Sequence, residues 1–496
     1  MPNLYFKQKN FILFYAFFAI LLLLHFYVFS TLKILDYDSI HNFQVLEEIN
    51  KGDWHNLFHH GSPVFYLFYS CFYLAFKDIN SLFIINLLVS YFSIILLIKT
   101  FQKNSVVFLI WLSSSLFIFT CGHYFSIESL SLLCNSILWY QIYLFLEKKD
   151  DKKLTNNALL IGFWGVITLL VNYKFIVVLP LMGLSLWTIR KEVGLNNTLF
   201  IKVICLIFLG IIIPIVVLMF LGIILGLPWY QYPATLYSIF SVSKNTNPTS
   251  TELSYYFFYF FHFENIGIII LLIIRVFLLK KIPSTTLEKF IFIVFFGVFI
   301  VMSFLPKAPR GLIFILPLVY VWIFKFSEKL QHQFIIFPIR KVLWFGFFWG
   351  TCAIQFYRIY ENLYPYKYSY YPLIAQYLKQ QNTNVIFTTL GMGVYPYLDK
   401  SIKMEVLREI SDTVKFQQFT GKKYLLYDAF CEVAGHQSLY ALKQKKAILS
   451  YPEKSLLAPS LFLEHSEYNG LSFKESLELQ KGMQQQKYQL ILIPLP

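Results

Sequence analysis

The chain has no CxxC pair, no glycine-rich phosphate loop, no detectable internal repeat and little charge: Asp, Glu, Lys and Arg make up 14% of its 496 residues. Each absence excludes something. The six cysteines, Cys71, Cys121, Cys134, Cys205, Cys352 and Cys431, lie mostly in apolar runs, so neither a zinc site nor a disulfide framework is indicated. Gly391-Met-Gly393 is too short, and lacks the third glycine, to cradle a nucleotide. With no repeat, and polar residues read at helix ends, a transporter is disfavoured, since transporters tend to carry repeats and ionisable groups at mid-membrane.

What is present is grease. The composition is 57% hydrophobic and 20% aromatic, with 54 Phe and 35 Tyr against 21 Gly, and a mean hydropathy of +0.58. A soluble chain carries about 45–50% apolar residues. The expected fold class is a polytopic α-helical membrane protein, because spans in lipid must satisfy their own backbone hydrogen bonds. The net charge of +15 would suggest nucleic acid in a soluble chain. Here much of the excess sits in short connections between apolar runs, where lysines retain a loop in the cytoplasm, and no nucleic acid is expected. The first run, to Ser30, is too long for the core of a signal peptide and lacks a small-residue cleavage site, so it reads as a retained span.

Apolar runs follow at about 63–77, 81–98, 105–120, 126–146, 157–173, 175–189, 200–227, 256–279, 288–305, 311–326 and 340–357. Val64 to Phe76 is short of the ~20 residues that cross a bilayer. If it stays at the surface there are about 11 spans. Lys7/Lys9, Lys99/Lys103, Glu147 to Lys153, Arg190/Lys191, Lys280/Lys281 and Lys325/Lys329 then share the cytoplasmic side with the N-terminus. The loop from Leu32 to Pro63, the segments at Leu227 to Leu253 and Pro306 to Arg310, and everything after about Tyr360 share the outer face. This divides the chain into a membrane domain, 1–360, and a small extracytoplasmic α/β domain, 361–496. In the latter, β-like runs at Val385 to Leu390, Tyr424 to Asp428 and Tyr488 to Leu495 alternate with helices at Tyr371 to Gln381 and Phe473 to Gln486.

The loop from Leu32 to Pro63 concentrates Asp36, Asp38, Glu47, Glu48 and Asp53 beside the membrane. Asp38 or Ser39 can cap the amphipathic helix that follows; alternatively Asp36 or Asp38 is a general base for an acceptor hydroxyl. Gly52-Asp53-Trp54 reads as the turn closing that helix. His55, His59 and His60 match no standard metal spacing and read as interface or substrate-contacting residues, as does His41. Tyr124 and Glu128 open the span at 126–146 in the same outer layer, where they are candidate substrate contacts, Glu128 alternatively being a solvated end residue; His262 and Glu264 lie near the outer start of the span ending at Lys281. Lys174, Lys307 and Arg310 are cations on the face where few are expected; together they suit a phosphate, against the alternative of snorkelling to headgroups. No cofactor is required by these residues, although the acids and histidines leave room for a divalent metal.

Asp36-Tyr-Asp38, Gly52-Asp53-Trp54, His60-Gly-Ser-Pro63-Val and Lys307-Ala-Pro-Arg310-Gly-Leu-Ile-Phe-Ile-Leu-Pro317, in that order, resemble the motifs of the GT-C superfamily of membrane glycosyltransferases, particularly bacterial relatives of protein O-mannosyltransferases and of the lipid A aminoarabinose transferase. The acids are separated by Tyr37, and His41 stands where that pattern has Tyr. The resemblance implies a bacterial plasma-membrane enzyme that transfers a sugar from a polyprenyl-phosphate donor to a lipid, glycan or protein hydroxyl on the outer face. It implies Asp38 or Asp36 as the base and Lys174, Lys307 and Arg310 at the departing phosphate. The rival readings are a transporter or flippase, and a polymerase or ligase, of lipid-linked glycans.

Overall fold

A computed structural model describes residues 12–24, 37–101, 105–122, 124–147, 151–246, 252–278, 281–334, 338–363, 369–453, 466 and 470–496. After α1 (Ile12–Leu24), α2 (Tyr37–Asn50) and α3 (Pro63–Phe76) form a surface hairpin. The bundle continues through α4 (Ile79–Phe101), α5 (Val106–Ser113), α6 (Leu116–Cys121), α7 (Ile127–Glu147), α8 (Asp151–Val171), α9 (Val178–Ile189) and α10 (Asn197–Ile224). It is completed by α11 (Gln231–Thr246), α12 (Tyr255–Phe263), α13 (Ile266–Phe277), α14 (Thr286–Ser303), α15 (Leu316–Phe334) and α16 (Pro338–Leu363).

Among the described residues, five helices are long and apolar enough to cross a bilayer on their own: α4, α10, α14 and the apolar stretches of α7 and α8. Four expected runs are not single helices. The run at 105–120 breaks between α5 and α6, that at 256–279 breaks at Glu264 and Asn265, and those at 175–189 and 311–326 begin as 3₁₀ turns. The breaks are capped. Asn265 accepts from the Gly267 amide at 2.8 Å to start α13, and Ser115 accepts from the Ile118 amide at 3.2 Å to start α6. Glu264, expected near the surface, is instead fully buried at its break, where the Tyr320 hydroxyl donates to it at 2.7 Å.

α8 and α10 approach backbone to backbone. A Cβ on Gly162 would lie 2.0 Å from the Ile207 carbonyl, and one on Gly210 would lie 2.2 Å from that of Leu159. Small residues allow such van der Waals contact where lipid offers no hydrophobic drive. Only 22% of the α10 span is buried, so its remaining face is turned outward.

The two ends of the bundle differ. One end gathers Lys99 over Tyr15, Lys325 over Phe101, the Lys289–Glu192 pair and the Lys329–Glu288 pair at 2.7 Å. The other carries the α2–α3 hairpin and a sheet domain. α3 lies alongside α2: Gly61, just before it, abuts Tyr173, while Tyr73 near its end donates to Glu47 of α2. Fourteen residues rise about 21 Å, short of a ~30 Å hydrocarbon core.

The sheet domain contains α17 (Tyr371–Gln380), β1 (Val385–Thr389), β2 (Lys403–Leu407), β3 (Lys423–Asp428), α18 (Phe430–Val433), β4 (Leu449–Pro452), α19 (Phe473–Gln485) and β5 (Gln489–Leu495). The strand order is β2-β1-β3-β5-β4. β1 lies parallel to both β2 and β3, with Val385 opposite Lys403 and Lys423; β5 runs antiparallel to β3 and β4. The three anticipated strands are the central ones, fully or largely buried. β2 and β4 are half-exposed edges with no apolar run to announce them.

Candidate active site

Three 3₁₀ turns meet at the sheet-domain end: His59–Gly61, Tyr173–Val177 and Pro309–Phe314. Each has a local cause. Gly61 takes φ +62° with Tyr173 and Leu236 crowding its Cβ direction. Asn172 accepts from the Lys174 amide at 3.1 Å, and Pro309 opens the third turn with its fixed φ. Phe175 packs edge-on against Phe314 at 4.9 Å, and Asn135 donates to the Phe314 carbonyl at 3.1 Å. The turns bearing His59, Lys174 and Arg310 are thereby held against one another and against α7.

α2 delivers Asp38 to this place. Its register is fixed by buried hydrogen bonds to the linker between α6 and α7. Ser39 accepts from the Phe125 amide at 3.0 Å, and Asn42 donates to the Phe125 carbonyl at 3.0 Å while accepting from Tyr66 at 2.8 Å. Asn86 of α4 donates to the Tyr124 carbonyl and accepts from Tyr69. Ser39 is therefore a packing partner of that linker, and the expected cap at Ser39 is replaced by this long-range bond. Asp38 lies in the first helical turn, and its Oδ2 accepts from Arg310 Nη1 at 2.5 Å, an ion pair spanning 272 positions. Arg310 is 10% exposed and Asp38 29%. Asp36 lies outside the described residues.

The other candidates divide. His41, one turn after Asp38, stacks edge-on against His59 with ring centroids 4.4 Å apart; the side chain of His60 lies outside the described part. Glu128 is buried in the first turn of α7 and accepts from Ser126, and Tyr124 is buried beside it. Lys307 is buried, and its ammonium turns back on the end of α14, donating to the carbonyls of Ser303 and, at 3.4 Å, Leu305, above the Tyr256 ring. Burial holds its pKa below the usual lysine range, with the Glu252 carboxylate pulling the other way. Asp53 sits in an exposed turn, where hydrogen bonds from His55 hold its carboxyl below the usual range. Gly52 closes α2 at φ +89°. Among the described residues no three His, Cys, Asp or Glu side chains gather as a metal site.

Sequence reading missed the polar locks at Ser39, Asn42, Tyr66 and Asn86. Asparagines inside apolar helices were the available signal, since a buried amide needs partners. Glu47, named only as one of the loop's acids, has partners that the sequence does not show: its carboxylate accepts from Tyr73 at 3.0 Å and from Tyr395 of the sheet domain.

No protein-family model and no curated protein sequence matches this chain. Solved structures do. The apo structure of ArnT from Cupriavidus metallidurans superposes with a TM-score of 0.61 at 11% identity, covering 89% of this chain and 96% of that one. The structure of the same protein bound to undecaprenyl phosphate gives 0.60 at 12% identity, covering 88% and 95%. The chain has the ArnT fold over nearly its whole length, which is the fold that the resemblance implied.

Proposed function

We propose that this chain is an integral membrane glycosyltransferase that moves a sugar from a polyprenyl-phosphate carrier to a hydroxyl of a lipid, glycan or protein acceptor at the outer face of a bacterial plasma membrane. The carrying observation is the Asp38–Arg310 pair at the meeting of three turns, in a fold shared with a protein whose structure holds undecaprenyl phosphate. Membrane half 1–360 houses the reaction, the domain 361–496 covers it from outside, and the N-terminus faces the cytoplasm.

In this reading Asp38, with Asp36 as the other candidate, takes the proton of the acceptor hydroxyl as its oxygen bonds to the anomeric carbon. The bond from that carbon to the phosphate oxygen breaks, the electron pair leaves with polyprenyl phosphate, and the anomeric configuration inverts. Negative charge grows on the phosphate, where fixed cations act most strongly. Arg310 is suited to bridge the two events, because a guanidinium has five donors and can hold a carboxylate and a phosphate together. Lys174 reaches the phosphate from the second turn, and Lys307 does so by turning away from the Ser303 carbonyl. His41, His59, His60, Tyr124 and Glu128 line the substrate side.

Sugar transfer from a polyprenyl-phosphate donor in membranes tests this. Asp38→Asn should lower kcat by roughly 10²–10⁴-fold, the usual worth of a general base, and Arg310→Ala should weaken donor binding. Full activity in Asp38→Asn and Asp36→Asn would remove the base assignment. Cells lacking the protein should lose one sugar of defined mass from an envelope glycolipid, glycan or protein; accumulation of intact carrier on the cytoplasmic face would instead mark a flippase.

A further inference from the structure

Among the described residues, the sheet domain is fastened to the membrane half by an arm after β1 and by the start of α19. Leu390 adopts φ +60°, and its amide donates to the Leu407 carbonyl at 3.0 Å. Gly391 then passes so close to Asp428 that a Cβ there would lie 2.0 Å from its carboxylate, and a Cβ on Gly393 would lie 2.1 Å from the Tyr371 ring. Tyr371 in turn donates to Asp428 at 2.7 Å. Both glycines are therefore required by close approach, and the root of the arm is fixed. Val394 of the arm is buried in the cluster that holds the sheet strands, while its neighbours reach out to α2. Met392 is buried in the cluster built around α2, Tyr395 packs edge-on to Phe43, and its hydroxyl donates to Glu47.

The second contact is the start of α19. The Phe473 amide donates to Glu252 at 2.7 Å, and its ring sits among Tyr255, Phe258 and His262 of α12. Glu252 is also the carboxylate that acts on Lys307. One rigid sheet is thus fastened to the helix that carries Asp38 and to the segment that faces Lys307.

We infer that Tyr395 and Glu47 are positioning residues: through them the sheet domain sets the pose of α2, and with it the placement of Asp38 against the cationic half. Glu47 lies nine positions after Asp38. This is about 13.5 Å along the axis and half a turn around it, so the bond fixes the far end and rotation of α2 without entering the site. Tyr73 donates to the other oxygen of Glu47, which holds the carboxylate in line with Tyr395. Reaction rate is sensitive to such placement, since a misplacement near 1 Å costs on the order of 10²-fold.

The inference rests on the glycosyltransferase reading, and the experiment separates the two. Full-length protein in lipid nanodiscs is assayed with a polyprenyl-phosphate sugar. If the parent protein transfers nothing while its envelope substrate is supplied, the functional reading fails. If the parent is active, Tyr395→Phe and Glu47→Ala should each lower kcat by at least about tenfold, with KM for the donor and the melting temperature unchanged. Glu47→Gln, whose carbonyl oxygen still accepts from one tyrosine while its NH2 donates to the hydroxyl oxygen of the other, should recover most of the rate, and the Tyr395→Phe/Glu47→Ala double variant should be no worse than either single one. Unchanged kcat in both single variants, or a loss that follows melting temperature, would overturn the positioning role. Should Tyr395→Phe not fold, the kcat ratio of Glu47→Gln to Glu47→Ala decides the matter: recovery in the first supports positioning, and equal rates overturn it.

Discussion

Asp428 gives the sheet domain a pH dependence that can be worked out in sign and size. The carboxyl ends β3, is fully buried, and accepts from Tyr371 at 2.7 Å and from the Phe430 amide at 2.9 Å. Burial raises its pKa from 3.8 to about 7, against the downward pull of those two hydrogen bonds. The folded state therefore binds a proton that the unfolded state releases between these values. Stability is fully present below about pH 4, falls as pH rises through 7, and levels off above it. A gap of about three units at about 1.36 kcal/mol each gives a loss of about 4 kcal/mol, a large part of the 5–15 kcal/mol typical of a domain.

Amide hydrogen exchange of the full chain in detergent reads this directly. Protection of peptides from β1, β3 and β5, corrected for intrinsic exchange, should fall between pH 5 and 8 in the parent. In Asp428→Asn, which is close in shape and has no proton to lose, the slope should vanish, with the variant more protected than the parent at pH 8. An equal slope in both proteins would refute the argument, because the dependence would then come from groups other than Asp428.

Gly162→Ala should destabilise the bundle by about 1–3 kcal/mol, the usual penalty for overpacking, as its Cβ would meet the Ile207 carbonyl; thermal melts in detergent measure it. Asn42→Leu leaves the Phe125 carbonyl and the Tyr66 hydroxyl unpaired, and each buried orphan costs about 1–3 kcal/mol; a melting temperature equal to the parent's would deny the lock on α2. Glu264→Gln should stay within about 1 kcal/mol because an amide oxygen still accepts from Tyr320, whereas Glu264→Leu should cost about 1–3 kcal/mol; equal melting of the two variants would show that the bond contributes nothing.

Local pattern carried a good part of the fold. The run after Pro63 reads as a short helix, and α3 is a helix of 14 residues, Pro63–Phe76. The central strands β1, β3 and β5 were readable because burial on both faces demands apolar runs; β2 and β4, being edges, make no such demand. The break at Glu264 was hidden because the apolar run continues on both sides of it. Its trace was Asn265 followed by Gly267, a helix start inside what looked like one helix. Arg310 and Asp38 were each singled out, yet nothing local tells that they touch. Their contact is a property of how α2 and the third turn are brought together across 272 positions.

That contact also explains why the site is made of turns. A helix running unbroken through the bilayer spends its backbone donors internally and presents side chains only along its flank. Ending α8 before Asn172 and starting α15 after Phe314 leaves two 3₁₀ turns against each other, so that Lys174 and Arg310 lie on turns between helices. The hairpin of α2 and α3 brings Asp38 to Arg310 while Tyr73 holds Glu47 at the far end of α2. The short helix, the interrupted helices and the sheet-borne Tyr395 are thus parts of one arrangement, which holds a carboxylate and a guanidinium face to face where the three turns meet.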